Sequence, residues 1–109
     1  MSLRLPGFWH ELTSPDFARL DPEATLAVLP VGAIEQHGPH LPVAVDTCLL
    51  DAVVARALAL LPEGAPVLVL PTSAVGKSNE HVDFPGTLTL SAATLGRVWY
   101  ELGCSVRRA

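Results

Sequence analysis

The sequence predicts an α/β fold built in the order strand, helix, strand, helix, with the two strands parallel. Three observations carry this. Two short apolar runs, 24–29 and 67–70, do not alternate with polar residues, which marks strands covered on both faces. Each run is followed by a polar loop and then by a segment whose apolar residues recur at three- and four-residue steps. Strands separated by such helices pair in parallel through a right-handed crossover.

The elements follow in chain order. An opening segment, 8–20, contains Leu12-Thr13-Ser14-Pro15-Asp16, where Ser14 is expected to cap a short helix and Pro15 to take its first position. The first strand is 24–29. Segment 47–61 then sets Leu49, Leu50, Val53, Val54, Ala57, Leu58 and Leu61 at helical spacing until Pro62, Glu63 and Gly64 stop it, which predicts an amphipathic helix. Val67-Leu68-Val69-Leu70 forms the second strand, closed by Pro71. A long polar loop, 72–87, precedes Ser91, which opens a last helix carrying Leu95, Val98, Trp99 and Leu102 on one stripe.

Length and composition bound the possibilities. A chain of 109 residues is one domain at most, yet half of its residues are hydrophobic and the mean hydropathy is +0.39. Two strands and two helices leave sheet edges unpaired and apolar surface wet, so something beyond these elements is expected to cover it. The preferred expectation is the amino-terminal part of a larger α/β domain; the alternative is a small domain completed by self-association. Apolar stretches are broken by Pro30, Gly32, Pro62, Glu63, Gly64 and Pro66 well short of the roughly 20 residues a bilayer requires. The first ten residues lack the layout of a secretory signal, so a cytoplasmic location is expected. A net charge of -4 gives no electrostatic footprint for nucleic acid or anionic membrane. Cys48 and Cys104 lack metal-knuckle spacing and read as reduced packing residues.

The chemistry concentrates after the first strand, in Glu35-Gln36-His37-Gly38-Pro39-His40-Leu41-Pro42 and Asp46. Open α/β sheets bind ligands at the carboxyl ends of their strands. A Glu-x-His pair there turns a carboxylate and an imidazole toward one side, a donor set that suits zinc and other divalent cations, while Gln36 faces elsewhere. Asp46 reads equally as a carboxylate bridging two ions and as the N-cap of the following helix. His40 is a further ligand candidate or a packing residue. In the second loop, Gly76-Lys77-Ser78 resembles a phosphate loop, but Pro71 stands where that motif needs glycine, which excludes it. Phe84-Pro85-Gly86-Thr87 reads as a turn with glycine at positive φ. Glu80 and His81 follow the second strand, so parallel strands put them at the same sheet end as Glu35 and His37.

At these loops the sequence resembles the creatininase family. The carriers are the run from Leu29 through Glu35-Gln36-His37-Gly38-Pro39-His40-Leu41-Pro42, then Asp46-Thr47, Gly76-Lys77-Ser78-Asn79-Glu80-His81, and Phe84-Pro85-Gly86-Thr87-Leu88. The resemblance implies a three-layer α/β domain with a mainly parallel sheet, of which 1–109 would be the amino-terminal β-α-β-α portion. It implies a metal-dependent amidohydrolase that cleaves amide C–N bonds, other than peptide bonds, with a hydroxide bridging two divalent ions, zinc or manganese. Carried over by motif position, Glu35 would hold one ion, His37 the other, and Asp46 would bridge them. Independently of the resemblance, Ser78, Glu80 and His81 at that sheet end read as candidates to line a substrate pocket, with Glu80 and His81 reading equally as surface polar residues of a long loop. The family's remaining His and Glu ligands have no counterpart in the chain, and its general acid is expected in the absent half. From the resemblance follow a small amide substrate, a homo-oligomer (a hexamer in the family), weak or partial metal binding, and no turnover by this chain alone. The alternative is a non-catalytic lobe that pairs with another chain through its exposed apolar face.

Overall fold

The computed structural model describes residues 3–109. Its centre is a three-stranded parallel sheet in the order β1-β3-β2, formed by β1 (Gly7–Phe8), β2 (Leu26–Val28) and β3 (Val67–Val69). Gly7 and Phe8 pair with Leu68 and Val69, and Leu26, Ala27 and Val28 pair with Val67, Leu68 and Val69. The sheet is therefore one strand wider than expected. A two-residue strand containing glycine has no apolar run to mark it; it exists because β3 offers it a ready ladder of hydrogen bonds.

Position in the sheet separates two strands of similar composition. β3 is central, and its Leu68 and Val69 are 0% and 3% exposed. β2 is an edge, and Leu26 and Val28 are 63% and 42% exposed. The expectation that both faces of the first strand are covered is thus wrong for β2. An apolar run reports capacity for burial, and only the neighbouring elements determine whether it is realised.

The short helix α1 (Ser14–Phe17) begins one residue before the expected place. Thr13 is its N-cap, in a capping box with Asp16, and Ser14 is already helical. The Asp16 carboxylate accepts from the Thr13 N–H and hydroxyl, both at 2.8 Å. Helix α2 (Val45–Leu60) lies where helical spacing predicts, but it is apolar nearly all round rather than amphipathic. Its inner side is the half-buried row Thr47, Leu50, Val54 and Leu58, whereas Leu49 and Val53 face solvent. Helix α3 (Ala92–Arg108) is capped by Ser91, whose hydroxyl accepts from the Thr94 N–H, and Leu95 of the expected stripe is buried. Trp99 Nε1 donates to Ser73 Oγ at 3.3 Å, fixing the helix to the continuation of β3.

Cys48 and Cys104 are free, but Cys48 is exposed, so it is not the buried packing residue expected, while Cys104 is half-buried. The radius of gyration is 16.2 Å, against about 13 Å for a compact domain of this length. The buried apolar core among the described residues consists of Leu68, Val69 and Leu95. Among the described residues, no helix is long and apolar enough to cross a membrane.

Candidate metal centre

Parallel pairing continues beyond the strands and carries both loops to one end of the sheet. Leu70 N–H donates to Val28 O, Ser73 N–H to Pro30 O and Gly32 N–H to Ser73 O, at 2.8, 2.9 and 2.9 Å. The loops approach so closely that glycine is required at the crossing. A Cβ on Gly76 would lie 2.7 Å from Gly32 O, and one on Gly32 would lie 2.5 Å from Thr47 Oγ1. That hydroxyl sits 3.0 Å from Ala33 O and 3.1 Å from Ala74 O, so one proton is shared between the two loops and ties the start of α2 to both.

Further out, the first loop folds back on itself. Glu35 N–H donates to Val43 O at 3.0 Å, and His37 and Leu41 form an antiparallel bridge around Gly38, whose φ is 76°. The second loop closes on the first through Leu88 N–H to Ile34 O at 2.9 Å and Gln36 N–H to Thr87 Oγ1 at 3.2 Å. Thr87 is presented by the expected turn, in which Thr87 N–H reaches Phe84 O and Gly86 has φ 91°.

This scaffold brings Glu35, His37 and Asp46 together, each offering a ligand atom within 4.8 Å of the others. Asp46 is not an N-cap: Ala44 holds that position, and Asp46 lies in the first turn of α2. There the unpaired amides of the helix start favour its negative charge. Its Oδ1 lies 3.3 Å from His37 Nε2. His40 is exposed and stands outside this group.

The protonation of His37 follows from its other nitrogen. Nδ1 is 2.9 Å from the Glu35 backbone oxygen, which can only accept, so Nδ1 carries the proton. In the neutral ring Nε2 is then a bare lone pair facing an anionic oxygen. Two acceptors at that range need a proton or a cation between them. The hydrogen bond to the Glu35 carbonyl raises the His37 pKa above the ordinary imidazole value; desolvation opposes the rise, and the Asp46 and Glu35 charges add to it. Carboxylate oxygen and neutral imidazole nitrogen are the donor types that zinc and manganese accept, so the residues present fit a divalent ion.

Residues of the second loop border the same carboxylate. His81 Nε2 lies 3.9 Å from Glu35 Oε1, and Glu35, Glu80 and His81 make up a second group of three ligand-type side chains. Glu80 is exposed. Ser78 is fully buried, and its hydroxyl has no hydrogen-bond partner, while its N–H donates to Thr89 Oγ1 at 2.9 Å. Sequence reasoning missed two residues. Gln36 does not face elsewhere, since its Nε2 is 3.1 Å from His81 Nδ1. Thr47 enters the sequence reading only as part of the Asp46-Thr47 motif, because its bridging role arises from three segments meeting.

Comparison with known proteins agrees with this architecture. A family model described as "Creatininase: Creatinine amidohydrolase" matches residues 10–109. A "Mycofactocin precursor peptide peptidase" of Mycolicibacterium smegmatis is 38% identical over 85 residues, covering 76% of this chain and 34% of that protein. "Creatinine amidohydrolase" of Pseudomonas putida is 39% identical over 94 residues, covering 81% of this chain and 35% of the relative. Among solved structures, one of creatinine amidohydrolase (creatininase) superposes with a TM-score of 0.73 at 35% identity, over 93% of this chain and 40% of that one. Another, described as "Creatininase Mn", gives 0.66 at 38% identity, over 80% of this chain and 35% of that one. The chain thus spans little more than a third of the length of the relatives it matches.

Proposed function

Because the chain belongs to the creatininase family, we propose that its two strand-end loops form one wall of a metal-dependent amidohydrolase site that acts on an amide C–N bond. The observation that carries this reading is His37 Nε2, a lone pair in the neutral ring, held 3.3 Å from Asp46 Oδ1 with Glu35 in the same group. Glu35 would hold one divalent ion and His37 a second, with Asp46 reaching both. Such ions, zinc or manganese, polarise an amide carbonyl and lower the pKa of water. The chain's own residues supply rigidity: the Glu35 carbonyl fixes the His37 ring, the first turn of α2 supports the Asp46 charge, and the Gly32–Gly76 crossing holds the loops in register. Ser78, Glu80 and His81 border the substrate side. Of these, Ser78 is fully buried with its hydroxyl closed to solvent, so Glu80 and His81 form the accessible part of that border.

The substrate class is a small amide. One relative is named a creatinine amidohydrolase and another a peptide peptidase, and both names fit an amide C–N bond, which supports this reading. With Glu35 and His37 as the private ligands and Asp46 shared, the 109-residue chain binds divalent ions weakly and turns over no amide by itself. Titration calorimetry with zinc or manganese tests this. A weak binding isotherm lost in His37→Ala, with amide hydrolysis at the free-metal background, is the expected result. Tight binding that survives His37→Ala, or turnover abolished by it, would overturn the corresponding half of the proposal. A second reading, a lobe that pairs with another chain, is favoured by the bare edge of β2 with Leu26 63% exposed and by Leu49 and Val53 at 62% and 65%. A discrete oligomer in metal-free sedimentation would support it.

A further inference from the structure

Two groups of three ligand-type side chains share Glu35: one with His37 and Asp46, the other with Glu80 and His81. A single cation cannot be assigned to one of them by residue type alone, since each group offers carboxylates and one imidazole. The intervening Gln36 distinguishes them. Its Oε1 accepts from the Gly38 N–H at 2.9 Å, so this end of the amide is the oxygen. The other end is therefore NH2, and it lies 3.1 Å from His81 Nδ1, to which it can only donate. Nδ1 of His81 is consequently the lone-pair nitrogen, already occupied, and the neutral ring carries its proton on Nε2. That Nε2–H faces Glu35 Oε1 at 3.9 Å, beyond direct hydrogen-bond range but with its positive edge toward the carboxylate. His37 is the reverse case, protonated on Nδ1 by its carbonyl partner and bare on Nε2.

We propose that Gln36 is a positioning residue that fixes His81 as its Nε2–H tautomer, withdraws it from ligation, and so directs a divalent cation to the Glu35, His37 and Asp46 group. His81 then acts on the centre indirectly, orienting the Glu35 carboxylate from outside. This rests on the metal reading above only for its final step; the tautomer assignment stands on hydrogen bonding alone. The backbone of Gln36 is held by Thr87, so its side chain starts from a fixed origin.

The test is histidine ring nitrogen NMR on the full 109-residue chain at mildly alkaline pH, first without metal and then with zinc added. Without metal, wild-type His81 is expected to show Nδ1 unprotonated and Nε2 protonated, and His37 the opposite. A proton on His81 Nδ1, or two interchanging tautomers, overturns the assignment, and this needs no variant to fold. Gln36→Glu keeps the acceptor for Gly38 but turns a donor into an acceptor toward His81, so the proton is expected to move to Nδ1. An unchanged His81 pattern in that variant also overturns it. On adding zinc, the His37 Nε2 signal is expected to shift while His81 keeps its pattern; in Gln36→Glu the His81 Nε2 signal shifts as well. Zinc ligation by wild-type His81 refutes the selector role. If zinc moves no histidine signal, the metal reading fails while the tautomer result stands.

Discussion

His37 and His81 stand on the two loops at one end of the sheet, each with Nδ1 engaged and Nε2 turned toward a carboxylate. They differ in what meets Nδ1. A backbone carbonyl meets that of His37, and a side-chain amide meets that of His81. The first forces the free lone pair onto Nε2, and the second forces a proton there. Residue type and proximity to acid are therefore shared, while the partner on the far nitrogen separates the imidazole proposed as a ligand from the one proposed as its support.

The largest expected effect separates the two rings directly. His37→Ala would remove the nitrogen donor proposed for the cation and is expected to weaken zinc binding by roughly 100-fold or more, whereas His81→Ala, which only touches Glu35 from outside, should cost about 10-fold. Parallel calorimetric titrations check this, and equal losses would erase the distinction. Acid should act in the same direction, because a proton on His37 Nε2 competes with the cation. The His37 pKa is raised, so zinc affinity should begin to fall above the ordinary imidazole range of about 6.5.

For the metal-free chain the sign reverses. A folded pKa above the unfolded one means that His37 contributes stability that is complete below the unfolded value and lost as pH rises through the folded value. Chemical denaturation across that window should show the decline in the wild type and a flatter profile in His37→Gln.

The closeness of the loops is the next point to break. Gly76→Ala would drive a Cβ to 2.7 Å from Gly32 O, a backbone clash expected to cost about 2 kcal/mol. Gly96→Ala on α3 meets nothing within 4 Å, and should stabilise the chain by about 0.5–1 kcal/mol through helix propensity. Denaturant midpoints of the two variants should move in opposite directions. The smallest effect concerns the second loop alone. Ser78→Ala removes the buried hydroxyl that lacks a partner, and should raise stability by about 1 kcal/mol. A loss of stability there would mean that the hydroxyl is already satisfied.

Much of this arrangement was legible in the residues. The apolar runs located β2 and β3, Ser91 marked the start of α3, and the Glu-x-His spacing with Asp46 identified the side chains that the fold gathers. Those signals are local, since a strand run, a cap and a strand-end motif each depend on neighbours in sequence. What escaped depends on neighbours in space. Gly7–Phe8 becomes a strand only because β3 lies beside it, and β2 stays exposed because no described element covers it. Thr13 displaced Ser14 as cap because Asp16 completes a box with it. Gln36 looked like a spacer in the motif, and its part emerges only once the second loop delivers His81 to it.

A divalent cation is proposed to settle among Glu35, His37 and Asp46. Substoichiometric manganese added to the isotopically labelled chain tests it most directly, because a paramagnetic ion erases amide signals close to it first. Early loss of the signals of residues 35–38 and 45–47, with those at the far end of α3 intact, is the result expected here. Uniform broadening, or early loss centred on Glu80 and His81 with His37 spared, would contradict the claim.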